Sequence, residues 1–253
     1  MVSDQKIRIA ILAAGHGKRM KSETPKVLQL LVGKPIIKHL LEAVQASGVD
    51  PRPIVIVGPK NQTAIRAALG DQCEYVTQVQ QLGTGDAVKS LRPGLRSNCD
   101  RLIILNGDHP LVRPETIRRL AVVKAEHYKP IVMGTTRLED FDEWREMFFS
   151  FGRIVRDPSG GVQAIMERKD ATAKQLKIKE VNPTYFNFEA DWLWDNLEKL
   201  NNHNSQGEYY LTDLVRIAID NGAQVASIDI SPRESIGVNT LEQLALAERL
   251  LGQ

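Results

Sequence analysis

The sequence predicts an α/β fold in which a mostly parallel sheet carries helices on both faces. Three observations lead to this prediction. Continuous apolar runs, typical of strands buried on both faces, occur at residues 9–12, 54–57 and 102–105. Segments with apolar residues at helical spacing separate these runs. Strands that alternate with helices form parallel pairs, because each crossover returns the chain to the same edge of the sheet.

The composition is that of an ordinary globular protein, and the length allows one large α/β domain or two small ones with a substantial core. The chain has 253 residues, of which 42% are hydrophobic and 25% charged, and its formal net charge is +2. This balance excludes a surface that coats nucleic acid, so no nucleic-acid partner is expected. No apolar run reaches membrane length and the N-terminus lacks a secretory core, so we expect a cytoplasmic protein without membrane contact. Cys73 and Cys99 form no CxxC pattern and are expected to be reduced and buried.

The first 134 residues alternate strands and helices. Pro35 suits the first turn of a helix and Gly48 suits its end, which places one helix directly after the opening loop. In chain order, the predicted elements after the first strand are a helix at 35–44, a strand at 53–58, a helix at 61–69, a strand at 75–76, a helix at 84–91, a strand at 101–106, a helix at 114–126 and a strand at 131–134.

The pattern changes between residues 135 and 188. Short β-like pieces at 152–155 and 161–165 alternate with charged turns, which predicts a small antiparallel β lid over the sheet. The remaining predicted elements are helices at 190–200, 209–221 and 240–251 and a strand at 224–230. No repeat or low-complexity segment divides the chain, so residues 1–253 are expected to form a single domain of two parts, 1–134 and 135–253.

The loop after the first strand, residues 13–17, consists of small residues and one histidine, and Lys18, Arg19 and Lys21 follow it. The backbone N–H groups of a glycine loop beside cationic side chains can hold a polyphosphate. An ordinary strand-to-helix turn with solvated basic residues is the alternative, and the clustering of the three cations favours phosphate.

Two common nucleotide motifs do not fit this loop. A dinucleotide fingerprint needs a third glycine where the chain has Met20, and it needs an acidic residue after the second strand, where Gly58 and Pro59 stand. A Walker A loop needs glycine in the place of Leu12. Both motifs are therefore disfavoured.

Six motifs, in order along the chain, match one known family. They are LAAGHGKRMKSETPKVL (12–28), QLGTGDA (81–87), NGDHPL (106–111), MERKDAT (166–172), QGEYYLTD (206–213) and GVN (237–239). Together they resemble the signatures of sugar-1-phosphate nucleotidyltransferases, and within that family the bacterial N-acetylglucosamine-1-phosphate uridylyltransferase domains. Bifunctional members of the family carry a β-helix acetyltransferase domain after this one, and we expect no such domain in this chain.

The resemblance implies a fold and a reaction. The fold is the Rossmann-like nucleotide-diphospho-sugar transferase fold. The reaction is the Mg²⁺-dependent transfer of UMP from UTP to a sugar-1-phosphate, for which N-acetylglucosamine-1-phosphate is the expected acceptor. Pyrophosphate leaves, and no covalent enzyme intermediate is needed, because positioning and charge neutralisation supply most of the catalysis.

The resemblance also implies roles for individual residues. Arg19 would bind the β- and γ-phosphates, and Lys26 would neutralise charge at the reacting phosphates. Asp108 and Asn239 would hold Mg²⁺, a hard ion that prefers oxygen ligands. The expected nucleotide contacts are Leu12, Ala13, Ala14, Gly15, Gly17, Gln78, Gly83 and Thr84. The expected sugar contacts are Asn106, Gly152, Glu167, Asn182, Glu208 and Tyr210.

Three of these residues have a simpler interpretation. An aspartate after a buried strand often only forms a turn, which is the alternative for Asp108. Asn239 stands where it could cap the last helix. Tyr210 could equally belong to the core. The motif context favours the functional role for the first two.

Four departures from the family pattern bear on the substrate. Lys18 replaces a threonine, Asp86 a histidine and Asn106 a tyrosine, and residues 181–185 read VNPTY where the family has INTGI. The last two abut the sugar, so a different sugar phosphate or NTP is the alternative substrate. A non-catalytic sugar-nucleotide sensor is the alternative from another functional class. The oligomeric state stays open, and a homo-oligomer is compatible with the sequence.

Overall fold

The computed structural model of the protein describes residues 5–15, 20, 22–96, 98–122 and 129–252. Its strands are β1 (Ile7–Leu12), β2 (Leu30–Leu31), β3 (Lys34–Pro35), β4 (Ile54–Val57), β5 (Glu74–Thr77), β6 (Arg101–Asn106), β7 (Ile131–Arg137), β8 (Gly152–Arg156), β9 (Val162–Met166), β10 (Glu180–Asn182), β11 (Phe186–Glu189) and β12 (Val225–Asp229). Its α-helices are α1 (Ile36–Ser47), α2 (Gln62–Leu69), α3 (Thr84–Lys89), α4 (Arg92–Leu95), α5 (Pro114–Ala121), α6 (Ala173–Leu176), α7 (Ala190–Asn196), α8 (Asp213–Asp220) and α9 (Leu241–Leu251).

One large mixed sheet organises the described chain. Its strand order is β5-β4-β1-β6-β11-β7-β10-β8-β9, and β12 pairs with β7 outside this path. β5, β4, β1 and β6 run parallel to one another, as do β12 and β7. β11 is antiparallel to both of its neighbours, β6 and β7. The predicted α/β class with a mostly parallel sheet is therefore confirmed.

The predicted antiparallel region is present, and it continues the main sheet. The second half of β7 pairs antiparallel with β10, β10 with β8, and β8 with β9. β7 is longer than the predicted strand because its far end, at Arg137, pairs with Glu180 of β10. A separate small antiparallel pair, β2 with β3, lies after the opening loop.

Helices cover both faces of the sheet. On β1, Ile9 and Ile11 join a core cluster with residues of α1, α2 and α5, whereas Ala10 joins a cluster with residues of α3, α7 and α8. Burial on both faces explains why the parallel strands read as continuous apolar runs. Cys73 and Cys99 are free and buried, as expected. No described helix is long and apolar enough to cross a membrane.

Several helix boundaries differ from the predicted ones. The helix predicted at 209–221 begins at Asp213, because Tyr209 instead pairs with the loop before α3. The helix predicted at 84–91 ends at Lys89, and α4 follows with a proline in its first turn. The helix predicted at 114–126 is described as α5, and residues 123–126 lie outside the described residues.

Candidate active site

A cavity of about 710 Å³ lies where β1, β5 and β6 end. The carboxyl edge of a parallel sheet is the usual ligand site of open α/β folds. Among the predicted site residues that the structure describes, all but Tyr210 line this cavity. They are Leu12, Ala13, Ala14, Gly15, Lys26, Gln78, Gly83, Thr84, Asn106, Asp108, Gly152, Glu167, Asn182, Glu208 and Asn239.

Two of the predicted site residues in and after the loop that follows β1, Gly17 and Arg19, lie outside the described residues. The first part of the loop is described, and its backbone is fixed at several points. Ala13 N donates to Ile56 O at 2.9 Å, and the Asn61 amide donates to Ala13 O at 2.8 Å. Asn61 also accepts from Gly58 N. The chain therefore leaves β1 in a defined direction along the cavity wall.

Lys26, Asp108 and Asn239 meet in the cavity although they are far apart in the chain. Lys26 opens a 3-10 turn, Asp108 follows β6, and Asn239 precedes α9. The Lys26 Nζ donates to Asp108 Oδ2 at 2.5 Å and to Asn239 Oδ1 at 2.8 Å. Val238 N donates to Asp108 O at 2.8 Å, which ties the segment before α9 to the end of β6.

The charge of Asp108 is stabilised by its surroundings. Burial by itself opposes ionisation, but the Lys26 ammonium outweighs it and holds the pKa of Asp108 below its ordinary value. Asp108 is therefore an anion that faces the cavity. The simpler interpretation as a mere turn former does not account for its contact with Lys26.

His109 is buried behind Asp108. The Tyr185 hydroxyl donates to Glu234 O at 2.6 Å, so it accepts from His109 Nδ1, 2.8 Å away. Burial lowers the pKa of His109 to about 4. The imidazole is thus neutral at physiological pH and adds no positive charge beside Asp108. The position of His109 relative to the other histidines in the sequence does not predict that it lies behind Asp108.

The Asp108 carboxylate and the Asn239 amide oxygen suit Mg²⁺, whose usual protein ligands are a few hard oxygens completed by substrate phosphates and water. Both oxygens already converge on one cation, the Lys26 ammonium. The donor set therefore fits the ion. Within the described part of the chain no group of three or more His, Cys, Asp or Glu side chains gathers, so the rest of the shell would come from substrate and solvent.

Hydrogen bonds hold the residues that are predicted to bind the base. The Gln78 amide Nε2 donates to Gly83 O at 3.1 Å and to Asp86 Oδ2 at 2.7 Å. Gly83 has φ 109°, a conformation that favours glycine. The Thr84 hydroxyl accepts from Leu211 N at 3.0 Å, which holds this loop against the later part of the chain.

The residues predicted to bind the sugar line the same cavity, except for Tyr210. Glu167 accepts from the Thr212 hydroxyl at 2.9 Å, and burial raises the pKa of its carboxyl group. The Asn182 side chain accepts from Thr184 N at 2.9 Å. Thr184 has φ 63°, a left-handed conformation that is unusual for a β-branched residue. This position corresponds to the glycine of the INTGI pattern, so the chain holds strain where the sugar is expected.

Asn106 also lines this cavity. Its amide donates to Pro183 O at 3.3 Å. Both residues depart from the family pattern, and the hydrogen bond joins them across the cavity wall. The two departures are therefore neighbours in space and form one altered surface.

Tyr210 does not line the cavity. It is 7% exposed, and its hydroxyl is hydrogen-bonded to the Gln206 amide at 2.9 Å. Lining residues without a predicted role include Gln81, Ser150, Phe151 and Thr184. Gln81 lies in the QLGTGDA motif, which could have indicated it, and its side chain donates to Ala14 O. Ser150 and Phe151 carry no sequence signal.

Comparison with known proteins gives the family. Residues 9–209 match the model of the MobA-like NTP transferase domain. Several curated relatives carry the name "Bifunctional protein GlmU". One from Heliobacterium modesticaldum is 40% identical over 95% of this chain and 51% of its own length. One from Caldicellulosiruptor saccharolyticus is 34% identical over 98% of this chain and 52% of its own length.

A relative of the same name from Desulfotalea psychrophila is 34% identical over 99% of this chain and 72% of its own length. The chain spans about half the length of the other two relatives. The family match covers the strands and loops that build the cavity from Leu12 to Glu208. On the fold, the cavity and these matches together, the chain belongs to the MobA-like NTP transferase domain family and is a nucleotidyltransferase.

Proposed function

We propose that the protein transfers UMP from UTP to a sugar-1-phosphate in a Mg²⁺-dependent reaction, with N-acetylglucosamine-1-phosphate as the first acceptor to test. The observation that carries the proposal is the meeting of Lys26, Asp108 and Asn239 in one cavity. Gln78, expected to contact the base, and Glu167, expected to contact the sugar, line the same cavity. The match to GlmU relatives supports the same assignment.

In this reaction an oxygen of the sugar phosphate attacks the α-phosphorus of UTP. The bond between that phosphorus and the oxygen bridging to the β-phosphate breaks, and pyrophosphate leaves with the bond's electrons. The chain brings two polyanions together, so its main task is to position them and to compensate their charge. A bound Mg²⁺ supplies further positive charge at the phosphates.

The side chains on the cavity wall suit that task. The Lys26 ammonium can contact the phosphate oxygens once it leaves Asp108 and Asn239, the two oxygens it now bridges. Gln78 and the Gly83–Thr84 backbone offer hydrogen-bonding groups to the base. Asn182 and Glu167 offer polar groups to sugar hydroxyls.

A second candidate function differs in the acceptor sugar, and three residues of the cavity wall favour considering it. Asn106, Pro183 and Thr184 all line the cavity and all depart from the family pattern. Relative to the family pattern, these residues change the size of the side chains on this wall, and Pro183 and Thr184 restrict its backbone. A hexosamine phosphate other than N-acetylglucosamine-1-phosphate is therefore the alternative acceptor.

The test is pyrophosphate release over a grid of four NTPs and several sugar-1-phosphates, with Mg²⁺ and with a chelator. We expect turnover with UTP only, and loss of turnover on chelation. Asp108→Asn should lower turnover by about 10²–10³-fold, as removal of one electrostatic group in an active site does. Asp71→Asn changes an exposed aspartate outside the cavity and serves as the matched control.

Each outcome decides one part of the proposal. Turnover with UTP and a sugar other than N-acetylglucosamine-1-phosphate would assign the changed specificity to the Asn106–Pro183 wall. Turnover with another NTP would contradict the assignment of the base. Tight UTP binding without turnover for any acceptor would contradict the enzymatic function and favour a sensor.

A further inference from the structure

We infer that Asp86 is a positioning residue that fixes the Gln78 amide in one orientation, so that the cavity selects a uridine over a cytidine nucleotide. The inference deepens the proposed function, on which its kinetic part rests. Its binding part concerns only the free protein and a nucleotide. Asp86 replaces a histidine of the family pattern, and the resemblance implies no role for it.

The geometry begins with the backbone of Gln78. Its N–H donates to Val57 O at 2.8 Å, which extends the β4–β5 pairing by one residue and fixes where the side chain starts. Gln78 is 4% exposed and lines the cavity. A side chain so enclosed has few rotamers, and its remaining freedom is the half-turn that exchanges the amide oxygen and nitrogen.

Two acceptors remove that freedom. The Gln78 Nε2 lies 2.7 Å from Asp86 Oδ2 and 3.1 Å from Gly83 O. A carbonyl oxygen and an ionised carboxylate can only accept, so the group that faces them has to be the –NH₂ end. With the amide reversed, its oxygen would face two acceptors. The contact with Asp86 is the shorter one and is charge-assisted, which makes it the stronger of the two.

The consequence is a defined acceptor on the cavity side. With both N–H groups of Gln78 engaged, its Oε1 is the atom left for a ligand, and no hydrogen bond to Oε1 forms among the described residues. In uracil the ring position N3 carries a hydrogen, whereas in cytosine N3 carries a lone pair. An acceptor at this place pairs with uracil and repels cytosine held in the same pose. The reversed amide would have the opposite preference.

A purely structural role for Asp86 is the competing explanation. Asp86 stands in the first turn of α3, where a negative charge stabilises a helix N-terminus. That role would change stability and would weaken all nucleotides alike. It would not change the ratio of affinities for two pyrimidine bases, and this ratio is the quantity that separates the two explanations.

The experiment measures the affinities of the full chain for UTP and CTP by titration calorimetry with Mg²⁺ and without sugar phosphate. The kcat/KM for each nucleotide is measured in parallel. We expect Asp86→Ala to lower the UTP-to-CTP affinity ratio about tenfold, the scale of one hydrogen bond to a charged group. Asp86→Asn keeps an acceptor oxygen and should stay within about threefold of the wild type. Asp71→Ala is the control for loss of an acidic side chain.

A second variant keeps the inference testable if Asp86→Ala does not fold. Gln78→Met retains Asp86 and removes the amide, so it should lose the preference for UTP. Retention of that preference in Gln78→Met would overturn the inference, as would an unchanged ratio in Asp86→Ala. Equal loss of both affinities would show the structural role instead.

Failure of the proposed function gives a different result. If the wild type binds UTP but no sugar phosphate is turned over, the enzymatic proposal fails while the affinity ratios still decide the role of Asp86. If the wild type binds UTP and CTP equally well, the inference about Asp86 is overturned whatever the turnover shows.

Discussion

The carboxyl group of Glu167, which lines the cavity, makes the stability of the protein depend on pH. Burial raises its pKa, as do the charges of Asp213, Asp170 and Glu208, while the Thr212 hydroxyl acts in the opposite direction. The native protein therefore binds this proton more tightly than the unfolded chain does. By linkage the free energy of unfolding falls as the pH rises from the ordinary value of 4.5 through the native pKa.

Glu167→Gln removes this charge and keeps an oxygen that can accept from Thr212. We expect the variant to be more stable than the wild type at pH 8, by about 0.5–2 kcal/mol, the range of other stabilising replacements. The difference should shrink toward zero below pH 4.5, where the wild-type carboxyl group is neutral too. Thermal unfolding at pH 4 and pH 8 measures it.

Glu248→Gln is the matched control, since it makes the same change at an exposed glutamate outside the cavity. A gap between Glu167→Gln and wild type that is largest at low pH would contradict the argument. Weaker binding of the sugar phosphate by Glu167→Gln would show that the protein tolerates this buried charge for the sake of its ligand.

Residues within sequence motifs were predictable even though they are distant in the chain. Lys26 is 82 positions from Asp108 and 213 from Asn239, yet the motifs placed all three in one site. The sequence shows Asp86 and Thr184 only as departures from the family pattern and does not predict their structural roles. Their effects depend on which atoms of another segment lie opposite them, and no local pattern encodes that contact.

At the scale of elements, residues 82–85, which lead into α3, and residues 209–211 are hydrogen-bonded to each other, and we call these two segments the clamp. Tyr209 N donates to Leu82 O and Gly85 N donates to Tyr209 O, both at 2.8 Å. Gly83 lies between these bonds. A Cβ on Gly83 would stand 2.7 Å from Tyr209 O and 3.0 Å from Glu208 Cβ. The clamp therefore requires glycine both for its backbone angle and for space.

Gly83→Ala should destabilise the protein by about 2–4 kcal/mol, because backbone strain and a steric clash with main chain add together. Denaturant unfolding measures the loss, and nucleotide affinity should fall with it. Gly94→Ala is the control: Gly94 lies in α4 and a Cβ there would meet nothing within 4 Å. This control should be neutral or up to about 1 kcal/mol more stable. Equal effects of the two substitutions would contradict the role of the clamp.

The clamp also explains which helix boundary could not be predicted. Residues 209–212 continue the apolar spacing of α8, so periodicity alone placed them in the helix. Tyr209 instead bonds through its N–H to Leu82 O and through its carbonyl oxygen to Gly85 N, Leu211 N donates to the Thr84 hydroxyl, and the helix begins at Asp213. Long-range backbone pairing of this kind overrides local propensity. In β7, long-range pairing lengthens an element instead of shortening it. The strand continues to Arg137 because its last residues pair with β10.

At the scale of the whole molecule, the sheet joins the two predicted parts of the chain. β11 comes from the second part and lies between β6 of the first part and β7, which crosses the boundary between the two parts. The Arg101 guanidinium of β6 is 4% exposed and donates to the side chain and the carbonyl oxygen of Asn187 in β11. The Asn187 amide in turn donates to Leu120 O of α5. Strand insertion between neighbours has no local sequence signature, and it was not predicted.

This topology predicts that residues 1–134 do not fold alone. Without β11, the edges of β6 and β7 lose their hydrogen-bonding partner, the buried Phe186 and Phe188 leave an apolar gap, and Arg101 loses its acceptors at Asn187. Loss of the buried phenylalanines and of a central strand costs several kcal/mol, on the order of the whole stability of a domain. We expect the fragments 1–134 and 135–253 each to lack a cooperative thermal transition, and co-expression to restore one. A cooperative transition of the isolated 1–134 fragment near the melting temperature of the full chain would show instead that the two parts are independent folding units.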